Sequence, residues 1–174
     1  ALGELKRTGW AKRGVANPES VQEHTITLRN IAASLDSLTD EEKTGLLDML
    51  EVHDWPEAIH GDEVVISTDA QELKTRKALK FEKEQKAIAT ICDKLGDKGQ
   101  EIMNLWLRFE TSSDPAAVFA RQLDKYQAIE KALEYEKAQG ISLFKEFLDY
   151  ARPNITHPIL VARLARLEEE FSNK

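Results

Sequence analysis

Two histidines fall on the apolar faces of predicted helices. His24 keeps step with Leu28, and His53 follows Leu50 by three residues. A buried imidazole needs partners for both ring nitrogens, because an unpaired buried polar group costs about 1–3 kcal/mol. Either histidine alone is most simply a hydrogen-bonded core residue. Two inward histidines, one of them followed directly by Asp54, instead favour a metal site.

A third inward polar group is predicted on a later helix. The helical neighbours of Asp124 on one face are Ala117, Ala120 and Ala128. A carboxylate among alanines has space around it, and its burial is costly without a cation. Imidazole and carboxylate donors in this ratio suit Mn²⁺, Fe²⁺, Co²⁺, Ni²⁺ or Zn²⁺ rather than ions that prefer thiolates. The residues therefore predict a divalent metal ion as the cofactor.

The number of histidines favours one ion rather than two. The chain has four histidines, and the remaining two are His60 and His157. A dinuclear centre of the histidine-rich helical type needs most of such a set. Four protein ligands on one octahedral ion leave two positions open, which is enough for water and a phosphate oxygen.

Charge limits the class of partner. With 24 Lys and Arg against 31 Asp and Glu, the formal net charge is −7, which argues against binding a nucleic-acid duplex. Near the start of the chain, however, four basic residues face the single acid Glu4; they are Lys6, Arg7, Lys12 and Arg13. This cluster suits a small phosphate ligand. A solvated N-terminal segment explains it equally well.

Cysteine content and hydropathy favour a cytoplasmic location. A single cysteine cannot form an intramolecular disulfide, which fits a reducing compartment. No apolar run approaches the roughly 18 residues that span a bilayer, and no signal-peptide pattern is visible. We therefore expect no membrane partner.

The elements that must position these residues are predicted to be helices. Capping residues and prolines mark helix starts near Ser20, Thr39, Pro56, Thr68 or Asp69, Asp114 and Thr156. Apolar residues between Ile102 and Phe109 indicate another helix, and a further one is expected from Ile141 to Tyr150. The helix after Thr39 is expected to continue to about Asp54, and Gly61 to stop the short helix after Pro56. Residues 64–66 are the only strand-like stretch, and they are too few to found a sheet. The predicted fold is all-α, with one domain over residues 1–174.

The ordered motifs resemble those of the HD-domain metal-dependent phosphohydrolases, and specifically their 5′-deoxynucleotidase branch. The resemblance covers residues 5 to about 137, and further helices are expected over residues 141–172. It rests on residues 5–10 (LKRTGW), 18–21 (PESV), 23–24 (EH), 53–54 (HD) with Glu57, 61–62 (GD) and 122–124 (QLD). It implies a single-domain HD-type helical bundle.

The resemblance also implies the metal ligands and the acidic residues of the site. The implied ligands of one divalent ion are His24, His53, Asp54 and Asp124. Glu57 matches the family's catalytic acid. Asp62 matches a second acidic residue that helps to hold the substrate or the reacting water.

Two further residues match positions that contact the substrate. Trp10 corresponds to the aromatic side chain that packs against the sugar and disfavours a 2′-hydroxyl group. Arg7 is a candidate phosphate contact, although bacterial members can place an arginine directly before the tryptophan, where this chain has Gly9. The implied substrates are deoxynucleoside 5′-monophosphates, and the implied assembly is a homodimer.

Other interpretations remain open from the sequence. Without the resemblance, Glu57 and Asp62 read as exposed acids beside a turn, and Trp10 reads as an anchor packed on the core. Within the HD proteins, the alternatives are a hydrolase of cyclic or triphosphate nucleotides, a di-iron oxygenase, and a module that binds a nucleotide without cleaving it.

Overall fold

The chain forms ten α-helices within residues 1–173, the part that this computed structural model describes. No β-strand occurs in this range, which confirms the all-α prediction. Lys174, the last residue of the predicted domain, lies outside the described residues. The helices are α1 (Thr8–Ala11), α2 (Val21–Ala33), α3 (Asp40–Lys43), α4 (Leu46–Val52), α5 (Glu57–His60), α6 (Ala70–Cys92), α7 (Asp97–Thr111), α8 (Pro115–Gln139), α9 (Phe144–Ala151) and α10 (Pro158–Ser172).

The predicted caps define the two helices that matter most for the site. At the start of α2, Ser20 accepts a hydrogen bond from the backbone of Glu23, whose side chain accepts one from the backbone of Ser20. This capping box satisfies amide groups that have no partner within the helix. Asp114 caps α8 ahead of Pro115, and Gly140 ends α8 in the left-handed conformation with φ of 70°. The predicted starts at Ser20 and Asp114 are confirmed.

The prediction of one continuous helix from Thr39 to about Asp54 is wrong. The Thr39 capping box is present, but α3 ends at Lys43. Gly45 then adopts φ of 73°, a left-handed conformation that glycine reaches without the penalty of a side chain. Arg108 donates a hydrogen bond to the carbonyl oxygen of Thr44 at 2.9 Å, which helps to hold the break. The chain can therefore change direction before α4.

Helix α8 lies at the centre of the helical packing. It packs against α2, α3, α4, α7, α9 and α10, and a large apolar cluster fills the space between these helices. Helices α2 and α4 also pack on each other. The three helices that carry the predicted metal ligands, or end beside them, therefore meet in one place. Within residues 1–173, none of the helices is both long and apolar enough to cross a membrane.

Candidate functional site

Most of the buried polar side chains gather where α2, α4 and α8 meet. Seven polar or charged residues are buried in the described chain: Glu19, Ser20, His24, Thr25, His53, Glu57 and Gln127. Ser20 is the cap of α2. Buried polar groups are expected to have partners, and one partner of His24 is the predicted ligand Asp124.

The four predicted ligands converge. His24 Nε2 lies 2.8 Å from Asp124 Oδ1 and 4.0 Å from Asp54 Oδ2. His53 Nε2 lies 3.1 Å from Asp54 Oδ2 and 3.9 Å from Asp124 Oδ1. Donor atoms that share one octahedral ion at about 2.1 Å are about 3.0 Å apart when adjacent and about 4.2 Å apart when opposite. The observed spacing therefore fits one ion among these side chains.

The orientation of His53 also suits a metal ligand. Its Nδ1 lies 2.6 Å from the carbonyl oxygen of Leu50, and a carbonyl can only accept, so Nδ1 carries a hydrogen. Its Nε2 is buried and makes no hydrogen bond, although Asp54 Oδ2 lies 3.1 Å away. A buried nitrogen without a partner is unfavourable. A cation in front of Nε2 removes that penalty.

Charged groups lie close together in the cluster and shift the pKa values of their neighbours. Burial lowers the pKa of His53, but Asp54 and Asp124 outweigh burial and raise this pKa to about 9. Burial raises the pKa of Asp124, but the contacts with His24 and His53 outweigh it and hold the pKa well below its usual value. The carboxylates therefore stay ionised and attract positive charge, which a divalent cation can supply.

A cavity of about 360 Å³ opens beside this cluster; we call it the metal-side cavity. Its wall includes His53, Asp54 and Asp124. The remaining charged residues of the wall are Arg7, Glu57, Asp62, Glu63, Lys77, Lys80, Glu84 and Glu110. The cavity thus offers cations for an anionic ligand as well as carboxyl groups for proton transfer.

Glu57 is a buried acid, so its interpretation as an exposed residue beside a turn is wrong. Its side chain opens α5 and the residue is 6% exposed. Burial raises the pKa of Glu57, and the nearby charges of Asp54 and Asp62 raise it further, to about 10. The carboxyl group therefore keeps its proton at neutral pH.

Asp62 holds the N-terminal segment beside the site through hydrogen bonds. Its Oδ2 accepts a hydrogen bond from the backbone nitrogen of Thr8 at 2.5 Å, and Thr8 Oγ1 donates to the carbonyl oxygen of Asp62 at 3.0 Å. The neighbouring Arg7 lines the metal-side cavity, and its Nη1 is buried without a hydrogen-bond partner. Burial lowers the pKa of Arg7, but Asp124 and Asp54 outweigh it and raise this pKa, so the guanidinium stays charged.

Trp10 is both a core anchor and a wall of a second cavity. It is 2% exposed, and its ring stacks on Phe147 with centroids 4.6 Å apart. The second cavity, the apolar recess, has a volume of about 330 Å³. It shares four lining residues with the metal-side cavity, which are Arg7, Asp62, Val64 and Val65. The two cavities are therefore neighbours along the same cleft.

Several residues of the site were given no role by sequence reasoning. Gln127 bonds to His24, and Glu19 bonds to Gln127. Lys80 and Glu84 line the metal-side cavity from α6. The signal for Gln127 was available, because it follows Asp124 by three residues and so shares its helical face. No periodic pattern identifies Glu19, which lies in the loop before α2.

The raised pKa of Glu57 predicts how pH affects the stability of the metal-free protein. Between 4.5, the usual value, and about 10, the folded protein binds a proton that the unfolded chain releases. The free energy of unfolding therefore falls as pH rises through this window. In chelator, Glu57→Gln should raise Tm by a few degrees at pH 8 and hardly at all at pH 4.5, measured by circular dichroism.

The matched control for this substitution is Glu101→Gln, which changes an exposed glutamate on α7. Its Tm should follow that of the parent across the same pH series. Parallel curves for Glu57→Gln and the parent would show that the buried carboxyl does not hold its proton as described.

Comparison with known proteins agrees with the geometry. A family model described as HD domain matches residues 1–155. The 5′-deoxynucleotidase HDDC2 of Dictyostelium discoideum is 32% identical, over 97% of this chain and 92% of that protein. The 5′-deoxynucleotidase HDDC2 of Danio rerio is 33% identical, over 97% of this chain and 84% of that protein.

Solved structures are similar as well. PH0347 from Pyrococcus horikoshii OT3 is 28% identical with a TM-score of 0.66, and the match covers 99% of this chain and 91% of that one. A predicted metal-dependent phosphohydrolase from Magnetospirillum magnetotacticum MS-1 is 25% identical with a TM-score of 0.71, over 97% and 87% of the two chains. The resemblance noted in the sequence is thus confirmed, and this chain belongs to the HD-domain family.

Proposed function

We propose that this protein is a metal-dependent 5′-deoxynucleotidase, which releases phosphate from deoxynucleoside 5′-monophosphates. Relatives named 5′-deoxynucleotidase match nearly the whole chain. The observation that carries the proposal is the convergence of two imidazole nitrogens and two carboxylates beside a cavity that also presents an unpaired guanidinium. Such a site offers a place for a cation and a place for a phosphate group.

The proposed metal ligands are His24, His53, Asp54 and Asp124. Their donor set suits Mn²⁺, Fe²⁺, Co²⁺, Ni²⁺ or Zn²⁺. When bound, such an ion stabilises the charge that develops on the phosphoryl oxygens and makes water more acidic. The protein's own residues then have to bind the phosphate, hold the sugar and supply a proton.

Arg7 and Lys80 are the proposed phosphate contacts. Both line the metal-side cavity, and the free Nη1 of Arg7 is available as a donor. A guanidinium binds phosphate oxygens through paired donors in a fixed plane. Lys80 already donates to the carbonyl oxygen of Glu63 at 2.8 Å, which holds its charge at the cavity wall.

Glu57 is the proposed proton donor to the departing 5′-oxygen. Water attacks phosphorus, the bond between phosphorus and the 5′-oxygen breaks, and that oxygen needs a proton to leave as a hydroxyl group. The raised pKa of Glu57, about 10, means that the carboxyl arrives with this proton. Asp62, which lines both cavities, is proposed to hold the substrate or the reacting water.

The apolar recess is the proposed place of the nucleoside. Trp10, Val64, Phe147 and Tyr150 line it. The stacking of Trp10 on Phe147 makes that wall rigid. A rigid aromatic wall against the sugar favours a carbon without a hydroxyl group, because a buried hydroxyl needs a hydrogen-bond partner. The homodimer and the cytoplasmic location stay predictions.

Phosphate release from a panel of nucleotides tests the proposal. The panel contains deoxy- and ribonucleoside 5′-monophosphates, deoxynucleoside triphosphates and cyclic nucleotides, each with Mn²⁺ or Co²⁺ and each with chelator. We expect deoxynucleoside monophosphates to be cleaved fastest and chelator to abolish release. Cleavage confined to triphosphates or cyclic nucleotides would indicate another HD hydrolase, and no cleavage at all a binding module.

Replacing Glu57 separates proton transfer from metal binding. Glu57→Gln keeps the size of the side chain but cannot donate an acidic proton, so kcat should fall about 10²- to 10⁴-fold. Its Mn²⁺ content, measured by atomic absorption, should match that of the parent. An unchanged kcat would remove Glu57 from the mechanism, and lost metal would make it a ligand instead.

Replacing His53 tests the ligand assignment. His53→Ala removes a nitrogen that faces Asp54 and Asp124, so both Mn²⁺ retention and phosphate release should be lost. The control is His60→Ala, which changes a histidine outside the cluster, on α5. Full activity of His53→Ala without bound metal would contradict the assignment. Circular dichroism checks that both variants keep their helices.

A further inference from the structure

The ring nitrogen of His24 that points away from the candidate centre begins a chain of buried hydrogen bonds. His24 Nδ1 lies 2.8 Å from Gln127 Oε1, and Gln127 Nε2 donates to Glu19 Oε2 at 3.2 Å. At the far end, Trp10 Nε1 donates to Glu19 Oε1 at 3.1 Å. The exposures of His24, Gln127 and Trp10 are 0, 1 and 2%, and that of Glu19 is 6%. Water therefore cannot easily replace any link.

The chemistry of the groups fixes the direction of this chain. An indole nitrogen can only donate, and a carboxylate can only accept. Glu19 therefore accepts from Trp10 and from Gln127, which turns the amide nitrogen of Gln127 towards Glu19. The amide oxygen then faces His24 and requires a hydrogen on Nδ1. In the neutral imidazole that can bind a metal ion, this hydrogen on Nδ1 leaves the lone pair on Nε2, the nitrogen that lies 2.8 Å from Asp124 Oδ1 in the metal-free protein.

We propose that Glu19 and Gln127 are positioning residues that keep His24 in the tautomer able to bind the metal ion. This inference rests on the metal site of the proposed function. The two residues act through His24 and do not contact the metal ion or the substrate. Trp10, a wall of the apolar recess, donates to the other oxygen of Glu19.

The backbone of Glu19 holds the carboxylate in place. Its carbonyl oxygen accepts a hydrogen bond from the backbone nitrogen of Arg7 at 3.0 Å. Its own backbone nitrogen donates to Tyr135 Oη at 2.8 Å. Both sides of the residue are thus anchored, which fixes the position of the backbone from which the carboxylate reaches Gln127.

His53 provides an internal contrast. Its Nδ1 is fixed by the backbone carbonyl oxygen of Leu50, which no side-chain substitution removes. The tautomer of His24, by comparison, depends on two side chains. Substitutions at Glu19 and Gln127 should therefore weaken metal binding through His24 alone.

Glu19→Gln tests the direction of the chain with a nearly isosteric change. Trp10 still needs an oxygen acceptor, so the new amide presents its nitrogen to Gln127. Gln127 then turns its oxygen to that nitrogen and its own nitrogen to His24, which favours a proton on Nε2. We expect Mn²⁺ affinity, measured by titration calorimetry on the metal-free protein, to fall about 10- to 100-fold.

A second substitution should restore the binding. Trp10→Phe removes the indole donor, so in the Glu19→Gln background the new amide is free to turn its oxygen to Gln127. We expect the double variant to recover most of the lost Mn²⁺ affinity. Trp10→Phe alone should stay within about twofold of the parent, the scatter of independent substitutions. A purely structural role predicts additive losses instead.

Variants of Gln127 complete the test. Gln127→Met removes the acceptor opposite His24 and should lower Mn²⁺ affinity about 10- to 100-fold. Gln127→Glu, whose new carboxyl group shares a proton with Glu19, keeps an acceptor opposite His24 and should retain the affinity. The control is Gln139→Met on the same helix. The Gln139 amide also makes two tertiary hydrogen bonds, both to Ala16, and its loss should leave Mn²⁺ affinity unchanged.

The inference is overturned if Glu19→Gln binds Mn²⁺ like the parent, or if the double variant shows no recovery. A parent protein that binds no Mn²⁺ overturns it together with the metal site. A parent that binds Mn²⁺ but cleaves no nucleotide contradicts only the proposed activity, because the affinity pattern of the variants can still be read. The two failures are therefore distinguishable.

Discussion

The site depends on one electrostatic constraint: two carboxylates and two imidazoles share a space inside packed helices. Asp54 and Asp124 stay ionised there because His24 and His53 lie within 4.0 Å of their oxygens. Ionised groups that lose water must gain partners of opposite charge. Additional positive charge therefore stabilises the cluster. Glu57, which lines the same cavity, avoids a buried negative charge by keeping its proton.

The packing of the helices stabilises this arrangement, but it does not by itself determine the positions of the polar groups. The apolar cluster around α8 brings α2 and α4 against the same helix, and the capping box at Ser20 and the break at Gly45 set where those two helices begin. Hydrophobic burial of this kind is non-directional. It supplies stability, while the caps and the glycine supply direction. The polar residues then need only short side chains to meet.

Sequence patterns predicted the parts of the site that lie on regular helices. His24 and Asp124 could be found because a polar residue on an apolar stripe is conspicuous. The break at Gly45 was missed because the apolar spacing continues across it. Glycine permits the left-handed conformation there but does not require it, and the contact of Arg108 with Thr44 that helps to hold the break is tertiary. The burial of Glu57 was not predictable from spacing either, since it depends on how residues from distant segments close the cavity.

The chain of hydrogen bonds from Trp10 to His24 connects the proposed sugar contact with a proposed metal ligand. Both ends are rigid: Trp10 is stacked on Phe147, and His24 lies at 0% exposure in α2. A rigid chain transmits a change in donor direction, since each amide or imidazole can answer only by reversing its own polarity. Glu19 contacts both ends of this chain, with one oxygen on Trp10 and the other on Gln127. A carboxylate suits that place because it accepts from both neighbours, whereas an amide that accepts from Trp10 has to donate to Gln127 and so reverses the direction towards His24.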